Sequence, residues 1–574
     1  MAVVKRVVVW LVLTVLAALT WGCGGAGGSG GRGSAAVFPS RERLQEITSQ
    51  PPPTRKQAGG ATVSVDSWEL GSLEATSQNT LLEGNDRPSL RTSPALGCAA
   101  RELGRFVAQK GGAADQQLQN HVFGQCGVTT IENSLQYWTT ELSGPASDQE
   151  LLAQVRPALR KYLAGLPTHP TDVGSAFVRE PGRAVFMLIT SRRLADLEPI
   201  QQPAEDGTVV LSGKLLTGAD ALHGMITQGE FGVGQCAFDR SLRLPRFRLT
   251  CHLAPDDQSA WIELRLRPTD RLLLRGVARY RVKRNAAAEP FSVPVLEAAS
   301  QSPGASKDYR QSLLGAINGV RAKAGLGALQ LATAQSREHE KLAPYFFAGA
   351  EDDAFMDDIA LGLMAGWEVP GMIRDGSFFG AALNGTVSVD RWLAHLLESP
   401  AARSILLDAH ARVLALGPLV DEKTASVGAL FSTYSFYETA NHDQERQRLI
   451  DRIARQRQAR GAAAAHATQD PELGTAAGAV RGGKDPEVAL NDALSVISNR
   501  DRKSVQGMLL ETLSLDDLVL PPELATRPRL EYAIEVTHAR RPGAAWATLV
   551  VMIIISEPTT TTASSEPVVR IRRG

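Results

Sequence analysis

An amphipathic helix pattern occurs twice in this chain at a fixed separation, and this repeat constrains the possible folds most. Apolar residues recur three and four positions apart and are followed by an arginine and a glycine, at Leu313, Leu314, Ile317, Arg321 and Gly325. Matching residue types stand 136 positions later, the difference between 313 and 449, at Leu449, Ile450, Ile453, Arg457 and Gly461. The spacing predicts a helix with one buried face, ended by the glycine. A constant offset predicts two copies of one folding unit, although an amphipathic helix alone explains the apolar matches.

The residues around the first copy resemble those of a known family. The resemblance rests on an N-x-x-R pattern, the segment after it, and a later tryptophan with an S-P-x-x-R sequence, namely Asn318, Arg321, residues 325–331, Trp392, Ser399, Pro400 and Arg403. This stretch resembles a CAP domain, the superfamily of cysteine-rich secretory proteins, antigen 5 and pathogenesis-related proteins. The resemblance implies an α-β-α sandwich over residues 306–440.

Two other segments, residues 93–200 and 444–556, share features with residues 306–440. Each of the three is predicted to end in two strands around a turn, at residues 173–190, 413–434 and 530–555. We therefore predict three CAP-like units, of which the first and third have diverged strongly. The alternative is one CAP-like domain flanked by unrelated α+β domains.

Short alternating apolar runs after the first unit predict a separate β domain. Phe247, Leu249, Cys251 and Leu253 alternate with other residues, as in a strand with one buried face. Several such runs favour a small immunoglobulin-like sandwich over residues 205–285, followed by a linker over 286–305. The 574 residues are also too many for one hydrophobic core. The predicted fold class is therefore α+β and multidomain.

The first residues have the layout of an export signal. Lys5 and Arg6 precede an apolar run that ends near Gly22 and Cys23. This predicts a lipoprotein-type signal peptide over residues 1–23 of a bacterial envelope protein, with the lipid on Cys23. An uncleaved membrane anchor and an ordinary signal peptide are the alternatives. The residue after the cysteine is Gly24 and not aspartate, which favours sorting of the lipoprotein to the outer membrane. A periplasmic or secreted location is the alternative.

Two segments have a composition that disfavours folding. Residues 24–92 are rich in Gly, Ser, Pro and Thr, and residues 557–574 are rich in Thr and Ser. Such segments bury too little apolar surface to offset the entropy cost of ordering the chain. We predict a disordered tether and a disordered tail.

The cysteine count supports export to an oxidising compartment. Of five cysteines, four remain once Cys23 carries lipid. Pairing each cysteine within its predicted domain joins Cys98 to Cys126 and Cys236 to Cys251. The alternative is four buried free thiols.

CAP-family members with an active-looking site carry two histidines and two glutamates in a central cleft, and the resemblance indicates where to look for them. Ala402, inside the S-P-x-x-R sequence, occupies one histidine position, and Leu342 occupies the other. Leu103 and Val480 stand at the matching positions of the outer units. We therefore expect no inherited metal site and no cofactor.

A rebuilt catalytic site is a weaker hypothesis. His395 and Glu398 stand three positions apart on a predicted helix and can share a face with each other. With His339 from another predicted helix, they are the candidate catalytic residues of a secreted hydrolase, although a packed or surface histidine is the more common role. An aromatic stretch either lines an apolar groove or fills a core, at Tyr345, Phe346, Phe347, Trp367, Phe378 and Phe379.

The charge balance disfavours one class of partner. Lysine and arginine number 61, as do aspartate and glutamate, so the chain has no net positive charge to attract nucleic acid. We predict a non-catalytic envelope lipoprotein, held on the membrane by its lipid, that binds an envelope or extracellular protein, a glycan or a lipid. The alternatives are the secreted hydrolase and a purely structural envelope spacer.

Overall fold

The structure is a computed structural model of the chain. The chain forms two compact units. One contains Pro39–Met364 and Ser377–Thr433, and the other contains Ala365–Gly376 and Tyr434–Gly574. The described residues are 21–23, 38–52, 62–73, 90–142, 147–164, 171–269, 271, 273–285, 287–293, 309–348, 353–422, 425–438, 441–501, 505–556 and 570–573. Most of the predicted signal peptide, residues 1–20, lies outside them.

Helices and strands both occur throughout the described residues, which confirms the α+β multidomain class. The helices are α1 Arg41–Ser49, α2 Pro94–Lys110, α3 Gln116–Gln125, α4 Asp148–Ala164, α5 Tyr309–Lys323, α6 Thr333–Ala348, α7 Asp353–Ala365, α8 Val389–Leu397, α9 Pro400–Leu406, α10 His442–Ala459, α11 Pro471–Arg481, α12 Pro486–Asp501 and α13 Pro522–Thr526, with a 3₁₀ turn at Leu515–Asp517. The strands are β1 Trp21–Cys23, β2 Thr62–Val63, β3 Ser67–Trp68, β4 Arg91–Thr92, β5 Ala113–Ala114, β6 Glu132–Glu141, β7 Asp172–Glu180, β8 Arg183–Arg192, β9 Ala195–Leu197, β10 Thr208–Leu215, β11 Ala219–Gln228, β12 Gly232–Gln235, β13 Ala237–Phe238, β14 Arg246–His252, β15 Ser259–Pro268, β16 Arg275–Lys283, β17 Phe291–Ser292, β18 Gln330–Leu331, β19 Ile373–Asn384, β20 Val413–Asp421, β21 Ser426–Phe436, β22 His466–Thr468, β23 Val505–Thr512, β24 Glu531–Ala539, β25 Thr548–Ser556 and β26 Arg570–Arg573.

Three of the sheets share one strand order. In each sheet, a short strand pairs in parallel with the first strand of a hairpin. The second strand of the hairpin pairs with a strand that comes before the hairpin in the chain. The three strand orders are β4-β7-β8-β6, β18-β20-β21-β19 and β22-β24-β25-β23. Strands β1 and β26 extend the second and third sheets at their edges. The three hairpins predicted from the sequence are confirmed as β7-β8, β20-β21 and β24-β25.

The repeated arginine makes the same contacts in both copies of the helix pattern. Arg321 in α5 is buried, and its Nε donates to the carbonyl oxygen of Gly327 at 2.8 Å. Arg457 in α10 is equally buried, and its Nε donates to the carbonyl oxygen of Ala463 at 2.9 Å. The two acceptors are separated by the same 136 residues as the two arginines. The glycine after each helix has a positive φ, 71° and 67°, at Gly325 and Gly461.

The apolar face of α5 packs into the core of the CAP-like segment. Leu313, Ile317 and Val320 share this core with Trp392 of α8 and Phe431 of β21. Full burial of such side chains contributes about 1.5–3 kcal/mol each to the free energy of folding. Three aromatic residues of the stretch considered as a groove are fully buried and fill the core, namely Phe346, Phe378 and Phe379.

The predicted β domain is a sandwich of two four-stranded antiparallel sheets, in the orders β13-β14-β10-β9 and β12-β11-β15-β16. Leu211, Leu249, Ile262 and Leu264 lie in the core between them. The sandwich begins earlier than residue 205, because β9 pairs with the end of β10. The boundary moves because the chain passes almost directly from β8, which ends at Arg192, to β9, which begins at Ala195.

Part of the segment predicted as a disordered tether, residues 24–92, is folded. In α1, capped by Ser40, Leu44 and Ile47 are buried. Strand β2 pairs with β5, and Trp68 of β3 is buried, with its indole N–H donating to Glu102 at 2.7 Å. The prediction averaged composition over a long segment, which hid these few apolar residues. Their burial against α2 and α6 supplies the stabilisation that the local sequence lacks.

Two other boundaries also differ from the prediction. Strand β17 lies in the predicted linker 286–305 and pairs with β3. Strand β26 lies in the predicted tail 557–574 and pairs with β23. Both strands form only with partners that are distant in sequence, which composition cannot reveal.

Two disulfides join Cys98 to Cys126 and Cys236 to Cys251. These are the pairs favoured by the sequence. The first connects α2 to the residue after α3, and the second lies within the sandwich.

Candidate functional site

A cavity lies in the first compact unit where three parts of the chain meet. Its wall is formed by α3 and β6, by β15 and β16 of the sandwich, and by α8 of the CAP-like segment. Its volume is about 60 Å³. Amide and aromatic side chains dominate the wall, which includes Gln116, Gln119, Asn120, Phe123, Thr130, Asn133, Trp261, Arg279 and His395.

Helix α3 is fixed against α8 by an ion pair. Asp115 precedes α3 and accepts a hydrogen bond from the amide of Leu118, which caps the helix. The same carboxylate pairs with Arg391 of α8 at 2.7 Å, and Arg391 also donates to Gln117 at 2.7 Å. The Asp115 side chain is only 1% exposed, so removing its partner would leave a buried charge.

A chain of hydrogen bonds crosses the cavity wall from α3 to α8. Gln116 Nε2 donates to Asn120 Oδ1 at 3.3 Å, and Asn120 Nδ2 donates to His395 Nδ1 at 3.2 Å. Gln116 and Asn120 are one helical turn apart and therefore share a face of α3. Since Nδ1 accepts in this arrangement, the neutral imidazole of His395 carries its proton on Nε2.

His395 is held in its neutral form. Burial lowers the pKa of His395 to about 3, and the positive charge of Arg279 acts in the same direction. Glu398 lies near it, with 4.0 Å between the carboxylate and His395 Nδ1. Burial raises the pKa of Glu398, while Arg279, Arg281 and Arg403 oppose the rise. The structure thus brings together two of the three candidate catalytic residues.

Arg279 connects the polar and aromatic parts of the wall. Its guanidinium lies over the ring of Trp261, 4.3 Å from the centroid, and it pairs with Glu398 at 3.4 Å. The positive charge of Arg279 is therefore largely matched within the protein.

Two polar atoms of this wall are buried and have no hydrogen-bond partner among the described residues. They are Gln116 Oε1, an acceptor, and Arg279 Nε, a donor. Leaving a buried polar atom unpaired costs about 1–3 kcal/mol. Gln116 is 95% buried, since only 5% of its surface is exposed. Both atoms are enclosed by the side chains around them and have essentially no accessible surface.

His339 belongs to a different part of the molecule. Its Nδ1 donates to the carbonyl oxygen of Gln335 at 2.9 Å, and its Nε2 accepts from Ser432 at 2.8 Å. The ring is fully buried near Phe378, 6.5 Å between centroids, and burial lowers the pKa of His339 to about 4.

His339 and His395 lie on opposite faces of the sheet. Phe378, beside His339, and Phe379, in the core with Trp392 of α8, are neighbours on β19 and point to opposite faces. His395 follows Trp392 on α8. The expectation that His339 shares a cleft with His395 and Glu398 is therefore wrong, because alternation along β19 separates them.

The S-P-x-x-R sequence docks the CAP-like segment onto the sandwich. Ser399 donates to Glu263 of β15 at 2.7 Å, and both residues are fully buried. Arg403 donates to the carbonyl oxygens of Gly229 and Gly232 at 3.1 and 3.2 Å. Burial lowers the pKa of Arg403 to about 10. At the two family histidine positions, the side chains are fully buried and apolar, at Leu342 and Ala402.

The sequence did not reveal most of the cavity. The sequence did not predict Gln116, Asn120, Trp261 or Arg279 as site residues, and α3 was not predicted as a separate helix. The available signal was Asp115 as a helix cap followed by amides four positions apart. That signal predicts a helix, and only the fold shows that its amide face meets the sandwich and α8.

Comparison with known proteins gives a weak structural likeness. No protein-family model and no curated protein matches the chain. A solved structure of a cysteine-rich secretory protein from Staphylococcus aureus is similar at 12% identity, covering 42% of this chain and 89% of that chain, with a TM-score of 0.17. This neighbour belongs to the family that the sequence resembles, but a TM-score this low carries no argument about function.

Among the described residues, no helix is long and apolar enough to cross a membrane. Within the same residues, no three His, Cys, Asp or Glu side chains are grouped to hold a metal ion.

The buried His339 predicts a specific pH dependence of stability. Its pKa is about 4 in the folded state and about 6.5 when unfolded, so the unfolded chain binds more protons between these values. The stabilisation is complete above pH 6.5 and declines by about 3 kcal/mol as the pH falls to about 4. His339→Gln should show a shallower decline in urea unfolding between pH 7 and pH 4.

The exposed His410 provides the matched control. His410→Gln should retain the pH dependence of the unmodified protein. An equally steep decline in His339→Gln would show that this histidine does not cause the effect.

Proposed function

We propose that the chain is an exported, non-catalytic binding protein whose ligand site is the cavity between α3, the sandwich and α8. The observation that carries the proposal is a cavity whose lining combines amide, hydroxyl and aromatic side chains, among them Asn120, Thr130 and Trp261. Concave sites with a few fixed polar groups are typical of ligand binding.

The chemistry of the wall suits binding better than proton transfer. With a pKa of about 3, His395 is a weak base near neutral pH. Glu398 is paired with Arg279. A hydrolase built on His339, His395 and Glu398 would need all three in one cleft, and His339 lies across the sheet from the other two.

We infer export from the N-terminal sequence and the disulfides together. The charged and apolar layout before Cys23 is typical of a lipoprotein signal. Disulfides such as Cys98–Cys126 persist in oxidising compartments, which include the bacterial envelope. The proposed location is a lipid-anchored position in the envelope, with the outer membrane favoured.

We also propose that residues 93–200, 306–440 and 444–556 are diverged copies of one CAP-like unit. The shared strand order supports all three copies. The matched contacts of Arg321 and Arg457 support the second and third copies in particular.

Lipid attachment is tested by replacing the acceptor. Cys23→Ala should move the protein from the membrane fraction to the soluble envelope fraction, because the variant has no cysteine at position 23 to carry the lipid that anchors the protein. Ser29→Ala, a nearby polar substitution, is the control and should leave the protein on membranes. Retention of Cys23→Ala on membranes would contradict the lipid anchor.

The binding role is tested by filling the cavity. Thr130→Trp places a large ring at a position that lines the cavity. In equilibrium dialysis against an envelope hydrolysate, this variant should retain at least tenfold less of the small molecules that the unmodified protein retains. Glu141→Trp, on the exposed end of the same strand β6, is the matched control and should retain them as the unmodified protein does. Equal retention by both variants would refute the cavity as the ligand site.

A further inference from the structure

We infer that the outer face of one sheet of the sandwich binds the surface of an anionic membrane. The sheet is β13-β14-β10-β9, and this role is independent of the cavity proposed above as the ligand site. Three features of the face carry the inference: the alternation of side chains along β10, the cations that the protein does not neutralise, and the exposed apolar side chains beside them.

Alternation along β10 defines the outer face. Val209 and Leu211 are buried in the core of the sandwich, so the residues between and after them on alternate positions point away from it. The residue that follows the strand is exposed as well. The outward row is Val210, Ser212, Lys214 and Leu216. Val210 and Leu216 are each 45% exposed, which is high for large apolar side chains.

Strand β14 adds arginines to the same face. Lys214 is paired with Arg246 in the antiparallel register, so both side chains point to one side of the sheet. Ser212 is paired with Arg248 in the same way. Arg243 lies in the turn before β14, and its carbonyl oxygen accepts a hydrogen bond from the amide of Arg246 at 3.1 Å. The face therefore presents cations along two neighbouring strands.

Three of these cations are not neutralised within the protein. Among the described residues, Lys214, Arg243 and Arg246 have no ion-pair partner, and all three are exposed. Most other arginines discussed above are engaged in ion pairs or donate to backbone carbonyl oxygens. The charge of these three is therefore available to a partner outside the chain.

The carboxylates at the borders of the face offset little of this charge. Asp239 is paired with Arg248 at 3.3 Å, and Asp196 is paired with Arg193. Glu198 has no ion-pair partner among the described residues, and it offsets one of the three free cations. The face keeps a net positive charge, although the whole chain has none.

The combination of cations and apolar side chains favours a membrane over a soluble polyanion. Anionic phospholipid headgroups attract lysine and arginine, and each cation near such a surface strengthens binding roughly fivefold. Val210 and Leu216 lie in the same row as Lys214 and can enter the boundary between headgroups and acyl chains. A soluble polyanion would contact the cations and leave both apolar side chains in water.

The test places an environment-sensitive fluorophore beside the face of the full chain. Cys23→Ala removes the cysteine that is outside the two disulfides, and Thr217→Cys, next to Leu216, then carries the label. Vesicles that contain phosphatidylglycerol should shift the emission to shorter wavelength, whereas vesicles of phosphatidylcholine alone should not. Because the label reports only its own surroundings, attachment through another part of the chain does not mimic this result.

Removing charge tests the role of the cations. Arg243→Gln combined with Arg246→Gln should raise the lipid concentration at the half-maximal shift about twenty-five-fold, because two contributions of roughly fivefold are lost. The matched control is Arg156→Gln combined with Arg160→Gln, which removes two exposed arginines of α4 and should leave the titration unchanged. If the first pair does not fold, Leu216→Ser replaces it and should also weaken binding.

The other outcomes contradict the inference. An equal shift with both kinds of vesicle, or equal titrations of the two double variants, would show that these cations do not bind the membrane. A shift with polyglutamate and none with vesicles would overturn the membrane assignment and indicate an acidic protein as the partner. The cavity is tested separately by Thr130→Trp, so failure here leaves the proposed ligand site unaffected.

Discussion

The contact between Ser399 and Glu263 is the interaction on which the candidate site depends. Both side chains are fully buried, and their hydrogen bond of 2.7 Å fixes the start of α9 on strand β15 of the sandwich. Arg403, one turn further, holds the same helix to the β11-β12 hairpin. Because α8 immediately precedes α9, this docking also places His395 beside Arg279 and α3. The S-P-x-x-R sequence, in which Ala402 stands at the position expected for a histidine, forms an interface here.

Charged side chains in the first compact unit serve mainly to join its parts. Asp115 pairs with Arg391 between α3 and α8, and Arg275 pairs with both Glu132 and Asp353, so that β16 is connected to β6 and α7. Partly buried ion pairs of this kind contribute more to the specific orientation of the packed surfaces than to the free energy of folding. The cavity wall contains amides, aromatic rings, a neutral histidine and one cation, Arg279, which is itself paired with Glu398.

The sequence predicts what depends on local periodicity. The helix pattern at Leu313 and again at Leu449 identified α5 and α10, and pairs of strand-like segments around a turn identified the three hairpins. It failed where order comes from distant partners: α1 lies in a Pro- and Gly-rich segment, yet Leu44 is buried against α6 and α7. The cavity could not be predicted for the same reason, since Gln116, Trp261 and His395 are each more than 100 residues from the next. His339 was misplaced because sequence spacing does not show which face of a sheet a helix covers.

The most direct test of this account is a double-mutant cycle between Ser399 and Glu263. Urea unfolding of Ser399→Ala, Glu263→Met and the double variant isolates their coupling from the helix cap that Ser399 also provides to α9. The account predicts a coupling energy of at least about 1 kcal/mol, as expected for a buried hydrogen bond to a carboxylate. Additive effects of the two substitutions would contradict it, because the family sequence would then not dock the CAP-like segment onto the sandwich.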